Sequence, residues 1–260
     1  MKPLLIFFYL LNTMILGSES IDLKSLLNQI SSNDFRSYQV VGKIYSPHDN
    51  QTYPFALTFK AEDNHLKVEV KNELCISELE LDTKFKFKSS TFNVLADNLI
   101  KRTKYNLRLG QSAGNNKAIF NYKKNDDFVK TKTINYNNNT IDTFSIIPVF
   151  QAIADKNVSL IKGELAVEHM GIRVPIIIKK ETVFSLDYYL SPYTVPNKLL
   201  SEMRTSSMPY IIYTIKVTGW QGFIYNHRHF YVFSSTKPHF YIGHWGGPDK
   251  LNLFSWADSI

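Results

Sequence analysis

The strictest alternation of apolar and charged residues in the chain runs from Glu78 to Lys88. Even positions are Glu78, Glu80, Asp82, Lys84, Lys86 and Lys88; odd positions are Leu79, Leu81, Thr83, Phe85 and Phe87. Side chains alternate faces along a strand, so this order sets a charged face against a nearly apolar one. A helix would spread the same charges around its whole surface. Read as a single strand, the run spans roughly 36 Å, about twice an ordinary strand, which predicts a strongly curved sheet or an open barrel. Phe55, Leu57 and Phe59 alternate with Ala56, Thr58 and Lys60. Beyond Asp63-Asn64, Leu66, Val68 and Val70 alternate with His65, Lys67, Glu69 and Lys71. The pair predicts a hairpin with one apolar and one wet face. Strand patterns also cover 35–45, 160–168, 172–180, 183–190, 210–217, 223–225, 230–233 and 239–242, and a second hairpin covers 105–124. The predicted fold class is mainly β, a strongly curved antiparallel sheet.

Helical patterning is brief. Ile21, Leu23, Leu26, Leu27 and Ile30 fall mainly on one side of a helix over 21–32. Asp142 can open another running to about Asp155, which Pro148 delays or kinks. A third, short helix is predicted within 192–207, with Pro196 near its start. No fixed-period repeat and no linker divides the chain, so residues 21–260 are expected to form one domain.

Residues 1–20 change the picture by assigning a compartment. Lys2, the apolar run 4–16 and small Ser18 and Ser20 before Ile21 form the three-part pattern of a cleavable signal peptide. The apolar run is shorter than the roughly 20 residues that span a bilayer. The expectation is an exported, soluble protein, periplasmic in a Gram-negative cell and otherwise secreted. Without a cysteine near residue 20 it cannot be a bacterial lipoprotein. Cys75 is the single cysteine, so no internal disulfide can form and the core must supply the stability. The formal charge of +7 favours anionic surfaces or ligands.

Candidate chemistry is sparse. Gly110-Gln-Ser-Ala-Gly114 has the spacing of a nucleophile elbow, with Ser112 as nucleophile, Asp142 or Asp187 as acid and His227 or His229 as base. An elbow needs a helix directly after the serine, whereas β-like 117–124 follows, and two glycines around small polar residues also suit a hairpin loop. His227, His229, His239 and His244 lie close in sequence, and His227 and His229 share a face if extended, a pairing open to metal ligation. No metalloprotease-type or cysteine ligand motif accompanies them. Gly243 to Pro248 reads as a turn rather than a phosphate loop. Lys101, Arg102, Lys104 and Arg108 form a basic cluster suited to anionic lipid headgroups or to a solvated loop. No nucleic-acid motif is present. No catalytic residue, metal site or cofactor is assigned. Phe55, Phe59, Phe85, Phe87, Phe120 and Tyr122 can all point inward from strands, and an aromatic concavity that its own sheet does not fill binds apolar ligands.

The layout resembles the periplasmic lipoprotein-carrier superfamily, the LolA/LolB-like half-barrels. The resemblance rests on residues 21–32 as the helix after the signal, on residues 142–153 as a plug helix introduced by Asp142, and on Tyr231-Val-Phe-Ser-Ser-Thr-Lys-Pro238 as a late strand. An uncharacterised branch of that superfamily carries Trp where this chain has Phe233. The resemblance implies a half-barrel with two or three short helices packed on its concave face, and a cavity for an apolar ligand, a lipid or acyl chain, with Phe150 of the plug helix joining the aromatic wall. It implies no catalytic residue. The expected function is carriage of that ligand by a monomer, with possible peripheral contact at an anionic membrane surface. The alternatives are a secreted hydrolase using Ser112 and an envelope scaffold without a small ligand.

Overall fold

The computed structural model describes residues 20–31, 35–46, 50–96, 104–114, 116–125, 127–143, 145–168, 170–190, 201, 209–225, 227–246 and 254–259. The signal segment before Ser20 and all but one residue of the helix expected within 192–207 lie outside them. The chain enters as β1 (Ser20–Asp22) and helix α1 (Leu23–Leu27). A meander follows: β2 (Tyr38–Ser46), β3 (Gln51–Glu62), β4 (His65–Asn72), β5 (Cys75–Asp82), β6 (Phe87–Val94), β7 (Leu107–Ser112), β8 (Lys117–Lys124) and β9 (Asp127–Asn135). After β10 (Thr140–Asp142) and α2 (Ile146–Ala152) comes a second meander: β11 (Leu160–Val167), β12 (Ile172–Val183), β13 (Tyr210–Val217), β14 (Arg228–Ser234), β15 (Tyr241–Gly246) and β16 (Phe254–Ser259). Helix α3 (Asp187–Leu190) follows β12, and α4 (Gln221–Ile224) follows β13.

All sixteen strands belong to one sheet. The two meanders join where β16 pairs antiparallel with β2, Trp256 opposite Lys43. At the far edge, β1 and β10 lie parallel on β11. The sheet is therefore almost wholly antiparallel and curls until its edges approach. Gly171, in the β11–β12 turn, lies beside Lys132 and Thr133 of β9.

Helix α2 fills the hollow. Its Val149 and Phe150 are fully buried. Phe150 stacks on Tyr213 with ring centroids 4.3 Å apart and meets Tyr231 edge-on at 5.6 Å. Gln151 accepts a hydrogen bond from the Tyr38 hydroxyl and donates to the Pro238 carbonyl at 2.9 Å. Asp142 positions the helix from β10, accepting from the Ser145 N–H at 2.7 Å. Pro148 falls in the first turn, where a missing N–H costs nothing. The helix consequently starts at Ile146 rather than at Asp142. Strands β13 and β14 are buried on both faces. Ile211, Tyr213 and Phe233 face the hollow, while Ile212, Phe230, Val232 and Trp245 form a second core on the convex side with Tyr189 and Leu190 of α3.

The fold class stands as read from the sequence, but several elements differ from the pattern. The alternating run Glu78–Lys88 is not one long strand. It folds as the β5–β6 hairpin, because the Asp82 carboxylate accepts from the backbone N–H groups of Lys84 and Lys86 at 2.8 and 2.9 Å. Phe85 takes a positive φ of 57° at that turn, and both Phe85 and Phe87 still reach the core. The expected strand 183–190 ends at Val183, since Ser185 Oγ accepts from the Asp187 N–H and starts α3. The expected strand 223–225 is replaced by α4, which follows Gly219 at φ 66°. The expected helix 21–32 shrinks to five residues, with Leu23 seated on Gly163 of β11. Strands β9 and β16 were not foreseen, and β15 runs through the glycines read as a turn.

Candidate functional site

The aromatic residues expected to line a ligand cavity are brought together, but mostly as packed core. Phe55, Phe59, Phe120, Tyr122 and Phe150 are buried in one continuous cluster with the plug helix. Tyr38 stacks on Phe59 at 4.5 Å, and Phe87 lies 5.3 Å from Phe120. These side chains fill the curvature of the sheet themselves. Phe85 and Phe87 differ from the other five: they also line an open cleft.

That cleft has a volume of about 470 Å³ and lies among the β5–β6 turn, the β7–β8 hairpin, the 136–142 segment and α1. Phe85, Phe87, Tyr136, Ile141 and Leu27 supply its apolar surface. The Phe87 and Tyr136 rings lie nearly parallel, 8° apart. Lys84, Lys86, Lys88 and Lys117 line it too. Lys84 reaches the Ile30 carbonyl at 3.3 Å, and Lys88 pairs with Glu80 at 3.1 Å. Lys86 and Lys117 have no ion pair among the described residues. The two carboxylates of the cleft, Asp82 and Asp142, accept backbone N–H bonds. The Tyr136 hydroxyl is buried with no hydrogen-bond partner among the described residues. Burial, reinforced by the negative charges of Asp142 and Glu168, pushes its pKa far upward, so the group is a donor.

Beneath the cleft lies a buried charged centre. Asp142, Glu168 and Arg108 are each less than a tenth exposed. Glu168 accepts from Thr143 Oγ1 at 2.8 Å. Burial first, and the Asp142 charge second, push the Glu168 carboxyl up to about 7, while Arg108 pulls it down. Arg108 lies 5.0 Å above the Phe92 ring. Burial pushes the Tyr122 hydroxyl up to about 12. Arg108 therefore does not belong to the surface basic cluster expected around 101–108. It pairs across the ladder with Phe92 and Tyr122, whose faces it shares. Lys101 and Arg102 lie outside the described residues. Sequence reasoning passed over Glu168, Tyr136, Lys86 and Lys117; a Glu directly after the apolar Leu165-Ala166-Val167 was the available signal for the first.

The other candidate motifs resolve into structure. Ser112 is the exposed last residue of β7, opposite Ala118 in an antiparallel hairpin. No helix follows it, so the elbow geometry is absent. His229 and His244 face each other across β14 and β15 with Nδ1 and Nε2 3.4 Å apart. Their ring planes differ by 1° and their centroids are 5.6 Å apart, which sets the two rings in line, nitrogen to nitrogen. Rings in line aim each nitrogen at the other, whereas a metal about 2.0–2.1 Å from both nitrogens would sit to one side of the line between them. The arrangement is a hydrogen-bonded imidazole pair. His239 is bonded at both nitrogens, to the Ser234 carbonyl and to Asp155. No group of three metal-ligating side chains occurs among the described residues.

No protein-family model matches the chain, and no curated protein is significantly similar to it. Among solved structures, the crystal structure of a beta-barrel-like protein of a domain of unknown function, DUF1849, from Brucella abortus is similar over 85% of this chain and 95% of that one. The TM-score is 0.46 and the identity 8%, a likeness too distant to bear on function.

Proposed function

We propose that the protein is an exported binding protein for an anionic amphiphile, such as a fatty acid or acidic lipid, held in the cleft beside the β5–β6 turn. The observation that carries this reading is the pairing, in one cleft, of Phe85, Phe87, Tyr136, Leu27 and Ile141 with Lys84, Lys86, Lys88 and Lys117. Its volume falls within the range of small-molecule sites. The acyl chain covers the aromatic surface, each buried methylene contributing about 0.8 kcal/mol. The acidic head meets Lys86 and Lys117, the two cleft lysines with no ion pair or carbonyl contact among the described residues. The apolar ligand is thus placed at one mouth of the curled sheet rather than along its filled interior. The LolA/LolB-like resemblance agrees with an exported lipid carrier, and the signal pattern with export.

Titration of the purified protein with a fluorescent fatty acid tests the proposal. Saturable binding is expected, weakened about tenfold or more in the double variant Lys86→Glu/Lys117→Glu and by Phe87→Ala. Equal binding by the charge variant would remove the head-group assignment, and absence of binding would remove the function. Labelling by a serine-reactive fluorophosphonate that disappears in Ser112→Ala would replace it with the hydrolase reading.

A further inference from the structure

The tip of the β13–β14 hairpin exposes Trp220 at 69% and Tyr225 at 38%. The Tyr225 hydroxyl lies 3.5 Å from the Met170 sulfur, so the β11–β12 turn, with exposed Ile172 beside it, adjoins the tip. The Thr218 N–H donates to the Pro175 carbonyl at 2.8 Å, which ties the tip to β12.

Just behind this tip a row of positive charge crosses the convex face. Lys162 of β11 stands opposite Ile177 of β12, which stands opposite Lys216 of β13, which stands opposite Arg228 of β14. Like charges directly opposed on neighbouring strands are destabilising, yet Lys216 and Arg228 are so placed. Strands β13 and β14 contain no acidic residue. The carboxylates of β11 and β12, Glu164 and Glu181, are held by Arg173 and Lys179 at 2.7 and 2.8 Å. None of the three row cations has an ion pair among the described residues. Asp22 of β1 stands opposite Lys162 at the far end of the row, but no carboxylate stands opposite Lys216 or Arg228, so their mutual repulsion is not relieved by a cross-strand partner.

We propose that this hairpin tip is a docking surface for an anionic lipid bilayer. Trp220 and Tyr225 sit at headgroup depth, where amphipathic rings are favoured. Lys162, Lys216 and Arg228 lie behind them and neutralise acidic headgroups, the attraction that polybasic segments feel at such a surface. Two features favour a membrane over other occupants. A second copy of the chain would set this cationic row against itself. A tip whose exposed large apolar side chains, among the described residues, are Trp220, Tyr225 and the adjoining Ile172 suits shallow insertion better than the about 800 Å² per partner of a stable protein interface. The docking surface is separate from the cleft, so either assignment can fail without the other.

The test is co-sedimentation of the full mature chain with vesicles of phosphatidylcholine alone and of equal parts phosphatidylcholine and phosphatidylglycerol. Trp245 and Trp256 are buried, so a blue shift on adding vesicles reports Trp220 in the unaltered protein. Binding to the mixed vesicles only, reduced by salt and accompanied by that shift, is the expected result. Lys216→Glu/Arg228→Glu should weaken partitioning at least about tenfold, and Trp220→Ala should weaken it too. The control is the exposed Lys71→Glu on β4, which should bind like the parent. Absence of vesicle binding, equal binding to neutral vesicles, an unshifted tryptophan spectrum, or an equal loss in Lys71→Glu would each overturn the proposal.

Discussion

His229 Nδ1 lies 3.4 Å from His244 Nε2, with the two imidazoles in line and their planes 1° apart. One nitrogen must donate and the other accept, which requires the accepting ring to be neutral. Burial holds both rings below the ordinary histidine range, His244 down to about 3, with the charge of His227 adding to the effect on His229 and that of His229 to the effect on His244. The folded state thus binds fewer protons than the unfolded chain between about pH 6.5 and 3. Stability from this pair is full above that window and is lost as pH falls through it. Urea unfolding midpoints measured down this range should decline in the parent, and His244→Gln should flatten the decline.

Glu168 predicts the opposite slope. Its carboxyl, raised from 4.5 to about 7, binds a proton in the fold that the unfolded chain has already released. Its contribution is full below about pH 4.5 and is lost as pH rises through about 7. Glu168→Gln keeps an acceptor for Thr143 and removes the buried charge. It should gain stability over the parent at about pH 8 and gain little at about pH 5, again by urea unfolding. A gain of equal size at both pH values would show that the carboxylate is not the cause.

Phe150 joins the plug helix to the sheet through Tyr213 and Tyr231. Phe150→Ala should cost about 3–5 kcal/mol, because the stacked rings around it cannot collapse into the space. Chemical denaturation measures the loss. A cost under about 1 kcal/mol would mean that the helix does not anchor the interior.

The seam between the two meanders depends on Gly42. A Cβ there would run into the Trp256 carbonyl and come within 2.8 Å of Ala257 Cα and of the Phe55 ring. Gly42→Val should therefore open the β2–β16 pairing at a cost of about 2 kcal/mol or more. Faster proteolytic release of the last residues should accompany it. Gly114, which has open space but φ 78°, should lose only about 1 kcal/mol on change to Ala, since backbone strain alone acts there.

The strand alternation was legible wherever one face meets water and the other the core. Residues 55–71 gave their hairpin correctly for that reason. Alternation could not show where the chain reverses, as Glu78–Lys88 demonstrates. The Asp82 carboxylate captures two backbone amides and turns the chain without disturbing the polar–apolar order. Strands 183–190 and 223–225 were misread because short aromatic runs suit a single helical turn as well as a strand. Strand β16 carries too brief a pattern to stand out, and its partner β2 lies more than two hundred residues away. The ligand wall was legible as chemistry but not as packing. A list of inward aromatics does not say whether they fill a hollow or line one.

Local pattern alone established an antiparallel β protein with an apolar and a charged face, because a period of two leaves no other arrangement for those side chains. Distant pairing decided the rest. It joined β2 to β16, seated α2 in the hollow, buried Arg108 beside two carboxylates, and left a cleft where Phe85 and Phe87 meet lysines from two hairpins. Those contacts link residues far apart in the chain, and no local preference encodes which of them will meet.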